Sequence, residues 1–560
     1  MVSVQVSGSG TKFLHNNSVF TEHHLSLFLF FMQCNPILLT LAAVCFSLAS
    51  GVSSAVKAND IELKVGIVQR FGEEEKDKLS IDAPSGDTLT FRFLDDNSKP
   101  QSLQAKTAAI GITKKTLAAP VLEERLVLSE HSTFETAEDS ANQWKALGIQ
   151  VEVTQPERWQ VWAKRDIYAS PVVRRWLLES LKAKGYNLPR LDSSVMSTKP
   201  QTVLMVNGQR YLTNSLEITG QKNLIQVADT SEKSQRLYGG SLKLQPNAYG
   251  TYTLVNNVPL EVYLRGVVPH EIGRNAPENA AKAQTIIART YALRNLRRFE
   301  ADNYQLCANT HCQVYFGLKD TSPQADRAIA ETKGLVLTYQ NELVDALYSS
   351  TTGGITAKFT DVWNGEERPY LKAIIDSSEN VWNLSQQSLE NEADFRKFIA
   401  LNKGFNESGR RVFRWRYESS LEALNKDIRT YLSNRKHPLA NFKTILNMQV
   451  VKRSPSGRIL LLRVETDKGV LELAKNEVRS AFSAPRSTLF YLDPLYDDKK
   501  NLKGFAFIGG GLGHGVGMSQ YGSYKLAQLG WSPEKILSFY YPGAKMQLLG
   551  NQIVFWRGNQ

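Results

Sequence analysis

Cysteine is scarce: a chain of 560 residues carries four. Cys34 and Cys45 fall in an apolar stretch near the start, which leaves Cys307 and Cys312 for everything after it. Two thiols cannot staple a scaffold, so the fold must rest on hydrophobic cores. Long apolar runs are also scarce. After residue 49 no segment is long and apolar enough to span a bilayer. No finger, ribbon or RNP-like pattern accompanies the net charge of +12, which comes from 67 basic and 55 acidic residues scattered along the chain. Nucleic acid is therefore not expected as a partner, whereas an anionic polymer or a membrane surface suits the charge. A Gly-x-Ser-x-Gly elbow is missing, which argues against a Ser-His-Asp hydrolase.

What is present describes a folded protein. Hydrophobic residues make up 42% and charged residues 22%, and the length allows roughly two to four domains. "PILLTLAAVCFSLA" at 36–49 is followed by small residues that suit signal-peptidase cleavage near Ser50 to Ala55. Residues 1–55 are expected to be a signal peptide or a membrane anchor. Export follows by either route, to the periplasm or cell envelope, with inner-membrane anchoring if the segment is retained.

Period-two alternation in "IELKVGIVQRF" and "DTLTFRFLD" predicts a strand-rich region over 57–130. Over 131–192 two helices flank two short strands, "IQVEV" and "WQVWA". Ser132 can cap the first helix, which Gly148 stops; Ser170-Pro171 starts the second, which ends near Gly185. "SSVMSTKPQT" suggests a linker at 193–204. A larger unit is expected over 205–548, with a charged helical insertion at about 376–440, and a tail over 549–560.

The richest stretch is "VPHEIGRNAPENAAKAQTIIARTYALR", Val268 to Arg294. Asn275 can cap a helix, with Pro277 and Glu278 in its first turn. Ala283, Ile286, Ile287, Thr290 and Leu293 give it one inward face, and Tyr291 belongs with the core or behind a site. Glu271 is expected in a loop ahead of that helix. Glu261 reads as a helix-side or salt-bridging residue. Arg289 could contact an anionic group or staple the core. Further on, Ser350, Thr351 and Thr352 precede Gly353-Gly354, which permits a tight loop. Residues 508–517 hold six glycines around His514, followed by Ser519, Gln520 and Tyr521. Such a loop brings backbone close to a ligand; equally, it could bury a satisfied histidine.

Four ordered blocks carry a resemblance: "VPLEVYLRGVVPHEI" with "NAAKAQTIIARTYAL"; "YSSTTGGIT"; "DVWNGEERPYLKAI"; and "GLGHGVGMSQYGSYKLAQLGWSPEKILSFYYPGA". Over about 205–548 the chain resembles the SpoIID/LytB family, that of stage II sporulation protein D and the amidase enhancer. Residues 131–192 resemble a SPOR-like module, some of which bind peptidoglycan. The resemblance implies an α+β fold: a SpoIID-type domain of mixed strands and short helices, preceded by a small α+β SPOR-like module.

On function the resemblance implies peptidoglycan remodelling. Its first form is a lytic transglycosylase cutting MurNAc-GlcNAc bonds, on intact or peptide-stripped strands, with Glu271 as acid and then base. A glycosidic oxygen leaves only when protonated, and internal attack by the 6-hydroxyl needs no second carboxylate. Its second form is a non-catalytic glycan-binding protein that enhances a wall amidase, an N-acetylmuramoyl-L-alanine amidase being the partner. His514, Arg289, Ser350, Thr351, Gln520 and Tyr521 are the expected substrate contacts. Catalysis requires no cofactor. "CANTHCQVYFG" offers Cys307, His311 and Cys312, and a relative's zinc site in this region implies a structural zinc, with His270 or a water as fourth ligand. A Cys307–Cys312 disulfide is the rival, and the sequence leaves both open.

Overall fold

The structure is a computed structural model that describes residues 61–229 and 235–557. The expected signal peptide or anchor at 1–55 lies outside the described residues.

Strands dominate the first half because apolar and polar residues alternate there. In Leu89–Leu94, Leu89, Phe91 and Phe93 point inward while Arg92 and Leu94 face out. Seven strands form one sheet, in the order Leu306–Cys307, Glu62–Phe71, Tyr252–Pro259, Ser241–Pro246, Leu216–Gly220, Leu89–Leu94 and Pro100–Ala105. The first strand of this region thus pairs with the strand that leads into the Glu271 helix: Glu62 lies opposite Pro259. A second sheet of eight strands is organised around the long strand Thr107–His131.

The two helices and two strands expected over 131–192 are present as Phe134–Ala146, Val151–Thr154, Trp159–Ala163 and Pro171–Ala183. Thr133, not Ser132, caps the first helix, its hydroxyl accepting from the Thr136 N–H. No separate SPOR-like module is distinguished. Trp159–Ala163 pairs with the end of Thr107–His131 and extends the same sheet. Phe134 and Trp159 share one hydrophobic cluster with Phe299, Tyr304 and Cys307 from much later in the chain.

Residues 193–204 are not a linker. They lie within the strand Arg190–Val206, paired antiparallel with Thr107–His131 from Ala108 opposite Val206 to Val127 opposite Arg190. Ladder hydrogen bonds come from the backbone, so a Ser/Thr-rich strand can pair where its side chains bury little. The segment 376–440 holds the helices Glu392–Ala400 and Leu421–Ser433, but also the strand Arg414–Ser420, which pairs with Leu502–Gly510. The end of the chain is packed: Ile553 is buried and Val554 bridges to Glu342.

The helix Glu278–Arg294 is the axis of the main core. Every residue from Ala283 to Arg294 is buried, not one face alone. Alanines let neighbours approach, and Thr285 and Thr290 satisfy their hydroxyls on the carbonyls of Ala281 and Ile286 one turn back. Ile286 and Ile287 have no exposed surface, and each such side chain contributes about 1.5–3 kcal/mol of burial.

Candidate functional site

A cleft of about 500 Å³ opens beside this axis. Four parts of the chain wall it: Ser132 to Glu135 with Trp159, Glu271 with Thr310 to Val314, Leu347 to Ser350 with Trp363, and Asn476 to Ser480 with Gly513, His514 and Gln520. The N-terminal α+β region is therefore part of the cleft. There Arg298 pairs with Glu135 at 3.0 Å, and its guanidinium lies 4.4 Å over the Phe134 ring.

Glu271 stands on a helix, not in a loop. It occupies the last turn of Leu260–Ile272, which Gly273 ends with φ 89°. Pro269 sits inside that helix, and because the helix ends at Ile272 the carbonyls of its last turn depend on outside partners. These partners come from Gln520, whose Nε2 donates to the Glu271 carbonyl at 2.8 Å, and from the Tyr524 hydroxyl, which donates to the Ile272 carbonyl. The Glu271 carboxylate accepts from the Val314 N–H at 2.7 Å. Burial pushes its carboxyl above the ordinary glutamate range, and hydrogen bonds from Val314, Tyr348 and Gln520 hold it back. Behind it, Gln313 links the hydroxyls of Tyr263 and Tyr348, each at 3.2 Å.

His514 lines the cleft as a neutral imidazole. Burial, then the charges of Arg479 and Arg458, push it down to about 3. Its Nδ1 accepts from the Val516 N–H at 3.0 Å, which places the proton on Nε2. Trp363 packs on the ring with centroids 5.0 Å apart. The loop glycines answer to close packing: a Cβ on Gly515 would lie 2.2 Å from Arg458 Nη2.

Of the other expected contacts, Ser350 and Gln520 line the cleft. Three do not. Arg289 is fully buried and bidentate to Glu261 at 2.9 and 2.8 Å, with a third bond to the Leu335 carbonyl; it staples the core, because its fork is filled before any ligand arrives. Thr351 is buried, its hydroxyl accepting from the Leu512 N–H at 2.8 Å. Tyr521 turns away to Tyr524 and Arg410, and its N–H holds the Ser350 carbonyl at 3.1 Å.

The structural zinc expected from Cys307, His311 and Cys312 is overturned. Cys307 and Cys312 form a disulfide, which consumes both thiolates a metal would need. His270, the fourth ligand in prospect, sets its ring edge-on to Phe316 at 5.0 Å. Among the described residues no group of three His, Cys, Asp or Glu is placed to hold a metal ion.

Sequence reasoning missed a fully buried acid pair beneath the cleft. Glu407 accepts from the N–H groups of Thr352, Gly353 and Gly354 and from the Ser519 hydroxyl. Gly353 and Gly354 reach it with φ of 77° and 87°, which only glycine adopts without strain. Asp376 accepts from Asn406 Nδ2 at 2.9 Å and the Tyr540 hydroxyl at 2.8 Å. Thr352 Oγ1 lies 3.2 Å from Asp376 and 3.0 Å from Glu407. The doubled glycine was the visible signal; its carboxylate partner, 53 residues further on, had none.

Sequence comparison relates parts of the chain to known proteins. Residues 248–339 match the family model of the stage II sporulation protein, SpoIID. Residues 357–517 match a domain of unknown function, DUF8618. The chain is 28% identical over 354 residues to the amidase enhancer of Bacillus subtilis, an alignment covering 56% of this chain and 47% of that one. It therefore spans about half of that relative's length. It is 26% identical over 369 residues to an uncharacterized protein of Brachyspira hyodysenteriae, covering 64% of this chain and 86% of the relative. With the stage II sporulation protein D of Bacillus subtilis it shares 24% identity over 365 residues, 62% of this chain and 90% of the relative. The chain is thus similar, over part of its length, to the SpoIID family and to the amidase enhancer.

These matches correct one expectation. The lytic transglycosylase reading gives way, since a well-matched relative is named an amidase enhancer, an accessory role and not a cutting one. Similarity to SpoIID and amidase-enhancer proteins supports an exported or envelope location. No helix among the described residues is long and apolar enough to cross a membrane.

Proposed function

We propose that this protein is a non-catalytic, peptidoglycan-associated protein that binds glycan strands and enhances an N-acetylmuramoyl-L-alanine amidase. The cleft carries the reading: it is lined by Trp363, Trp159 and Phe134 together with polar groups at Glu271, Ser350 and Gln520. The three rings are almost wholly buried and stiffen the wall, so a sugar would be held through its hydroxyls by the fixed hydrogen-bonding groups. Glu271 acts here as a hydrogen-bonding contact. Its raised pKa suits it to donate to a sugar hydroxyl when protonated and to accept when ionised. The match to the amidase enhancer supports the second half.

The test is an amidase assay on dye-labelled sacculi, with and without the purified protein. A severalfold rise in released dye, with no glycan fragments from this protein alone, supports the proposal. Unchanged amidase rates across several wall amidases, at concentrations that saturate the sacculi, would refute it.

A further inference from the structure

Among the described residues, Arg479 has no carboxylate paired with it. It lies on the short helix Glu477–Ala481 and lines the cleft that holds Glu271 and His514. Its Nη1 donates to Asn476 Oδ1 at 3.1 Å. The carboxylate nearest in sequence, Glu477, is engaged elsewhere, by Arg158, Arg435 and the Tyr431 hydroxyl. Burial accounts for the downward pull on the Arg479 guanidinium, and among the described residues no carboxylate offsets it. The other arginine of the cleft differs, since Arg298 is neutralised by Glu135.

Arg458 adds a second positive charge behind the same wall. It has no exposed surface and bonds only carbonyls, with Nη2 at 2.6 Å from the Thr352 oxygen and 2.9 Å from that of Ile355. Both charges are felt at His514. A half-buried guanidinium costs desolvation that a carboxylate ligand would repay through a charge-assisted, two-pronged bond. The Ser349 hydroxyl, buried in the same cleft, also has no hydrogen-bond partner among the described residues.

We infer that Arg479 is a specificity-determining residue of this cleft, its guanidinium receiving a carboxylate borne by the muramyl unit of a glycan strand. This rests on the glycan-binding reading above. The carboxylate could come from two sources: the lactyl group, once its amide to the stem peptide is cut, or the stem peptide itself.

Calorimetric titration of the full chain separates these. Three ligands are compared: strands stripped by an amidase, strands with intact stem peptides, and stripped strands whose carboxyl groups have been reduced to alcohols. We expect wild type to bind one carboxylate-bearing strand about tenfold tighter than the reduced strand, and which one names the source. Arg479→Gln should lose that tenfold preference, while Arg479→Lys retains part of it. Wild type that binds all three equally overturns the inference and leaves the glycan-binding reading standing; this arm needs no variant to fold. A well-folded Arg479→Gln that keeps the preference also overturns it. Wild type that binds none of the strands overturns both.

Discussion

Gln520 holds Glu271 by the backbone, not by the carboxylate alone: its Nε2 lies 2.8 Å from the Glu271 carbonyl, across 249 positions of sequence. A helix leaves its last carbonyls without internal partners. In Leu260–Ile272 they are satisfied by the first turns of Gln520–Gln528, through Gln520 and Tyr524. The C-terminal glycine-rich block is thus the cap that fixes where the Glu271 side chain stands.

Removing that cap should separate placement from folding. Gln520→Leu keeps the volume and strands the carbonyl, at a cost of about 1–3 kcal/mol in urea unfolding. Because Glu271 loses its register, glycan affinity should fall about tenfold, more than a peripheral contact would explain. Gln520→Glu restores no donor when ionised and should behave like the leucine variant. A variant with wild-type glycan affinity would show that the cap does not position the site.

The buried pair Asp376 and Glu407 makes a prediction with a defined sign. Burial, then the Glu407 charge, raise Asp376 well above its ordinary value of 3.8. The folded state therefore holds a proton that the unfolded state gives up as pH rises. This contribution to stability is complete below the ordinary value and declines as pH climbs toward the folded one. Asp376→Asn, which keeps the shape and supplies a permanent donor, should flatten that decline in melting temperature against pH. Glu407→Gln places an amide group where N–H and hydroxyl donors converge, and should cost about 2–4 kcal/mol.

Much of this arrangement was legible and some was not, for physical reasons. Helix starts such as Pro171 after Ser170 follow from local rules of capping, whereas periodicity gives Ala283 to Leu293 one core face where the fold buries the helix all round. Cleft-lining Glu271, His514, Ser350 and Gln520 came from motif blocks. Arg289 misled because a buried ion pair and a ligand contact look alike in sequence; only its distance to Glu261 decides. The strand across 193–204 was missed because it pairs by backbone over a long separation. Arg479 was invisible for the opposite reason: what marks it is a missing partner, which no local pattern records.

The Cys307–Cys312 disulfide closes a short loop whose Thr310, His311 and Cys312 form part of the cleft wall. Replacing both cysteines with serine should lower stability by about 2 kcal/mol and weaken glycan binding by loosening that wall. Added zinc should not raise the melting temperature of the oxidised protein, because neither sulfur is free to ligate. Elemental analysis of protein purified without chelators, showing one zinc per chain, would contradict this assignment.

His514 predicts an acid limb opposite in sign to that of Asp376. Its imidazole falls from an ordinary 6.5 to about 3 in the fold. The unfolded chain therefore takes up a proton that the folded chain refuses, and stability present above 6.5 is lost as pH falls toward 3. Each unit of that interval costs at most about 1.4 kcal/mol. His514→Asn keeps an acceptor for the Val516 N–H and removes the titration, so wild type and variant should converge as pH drops. Arg479→Gln should shorten the same limb, which would still begin near 6.5 but end at a higher pH and cost less, because the second cause of the depression is its charge. Chemical denaturation of wild type and both variants between pH 4 and 8 reads all three pH profiles. A wild-type and His514→Asn pair that stay parallel across this range would place the imidazole outside the titrating groups and would remove Arg479 as its electrostatic neighbour.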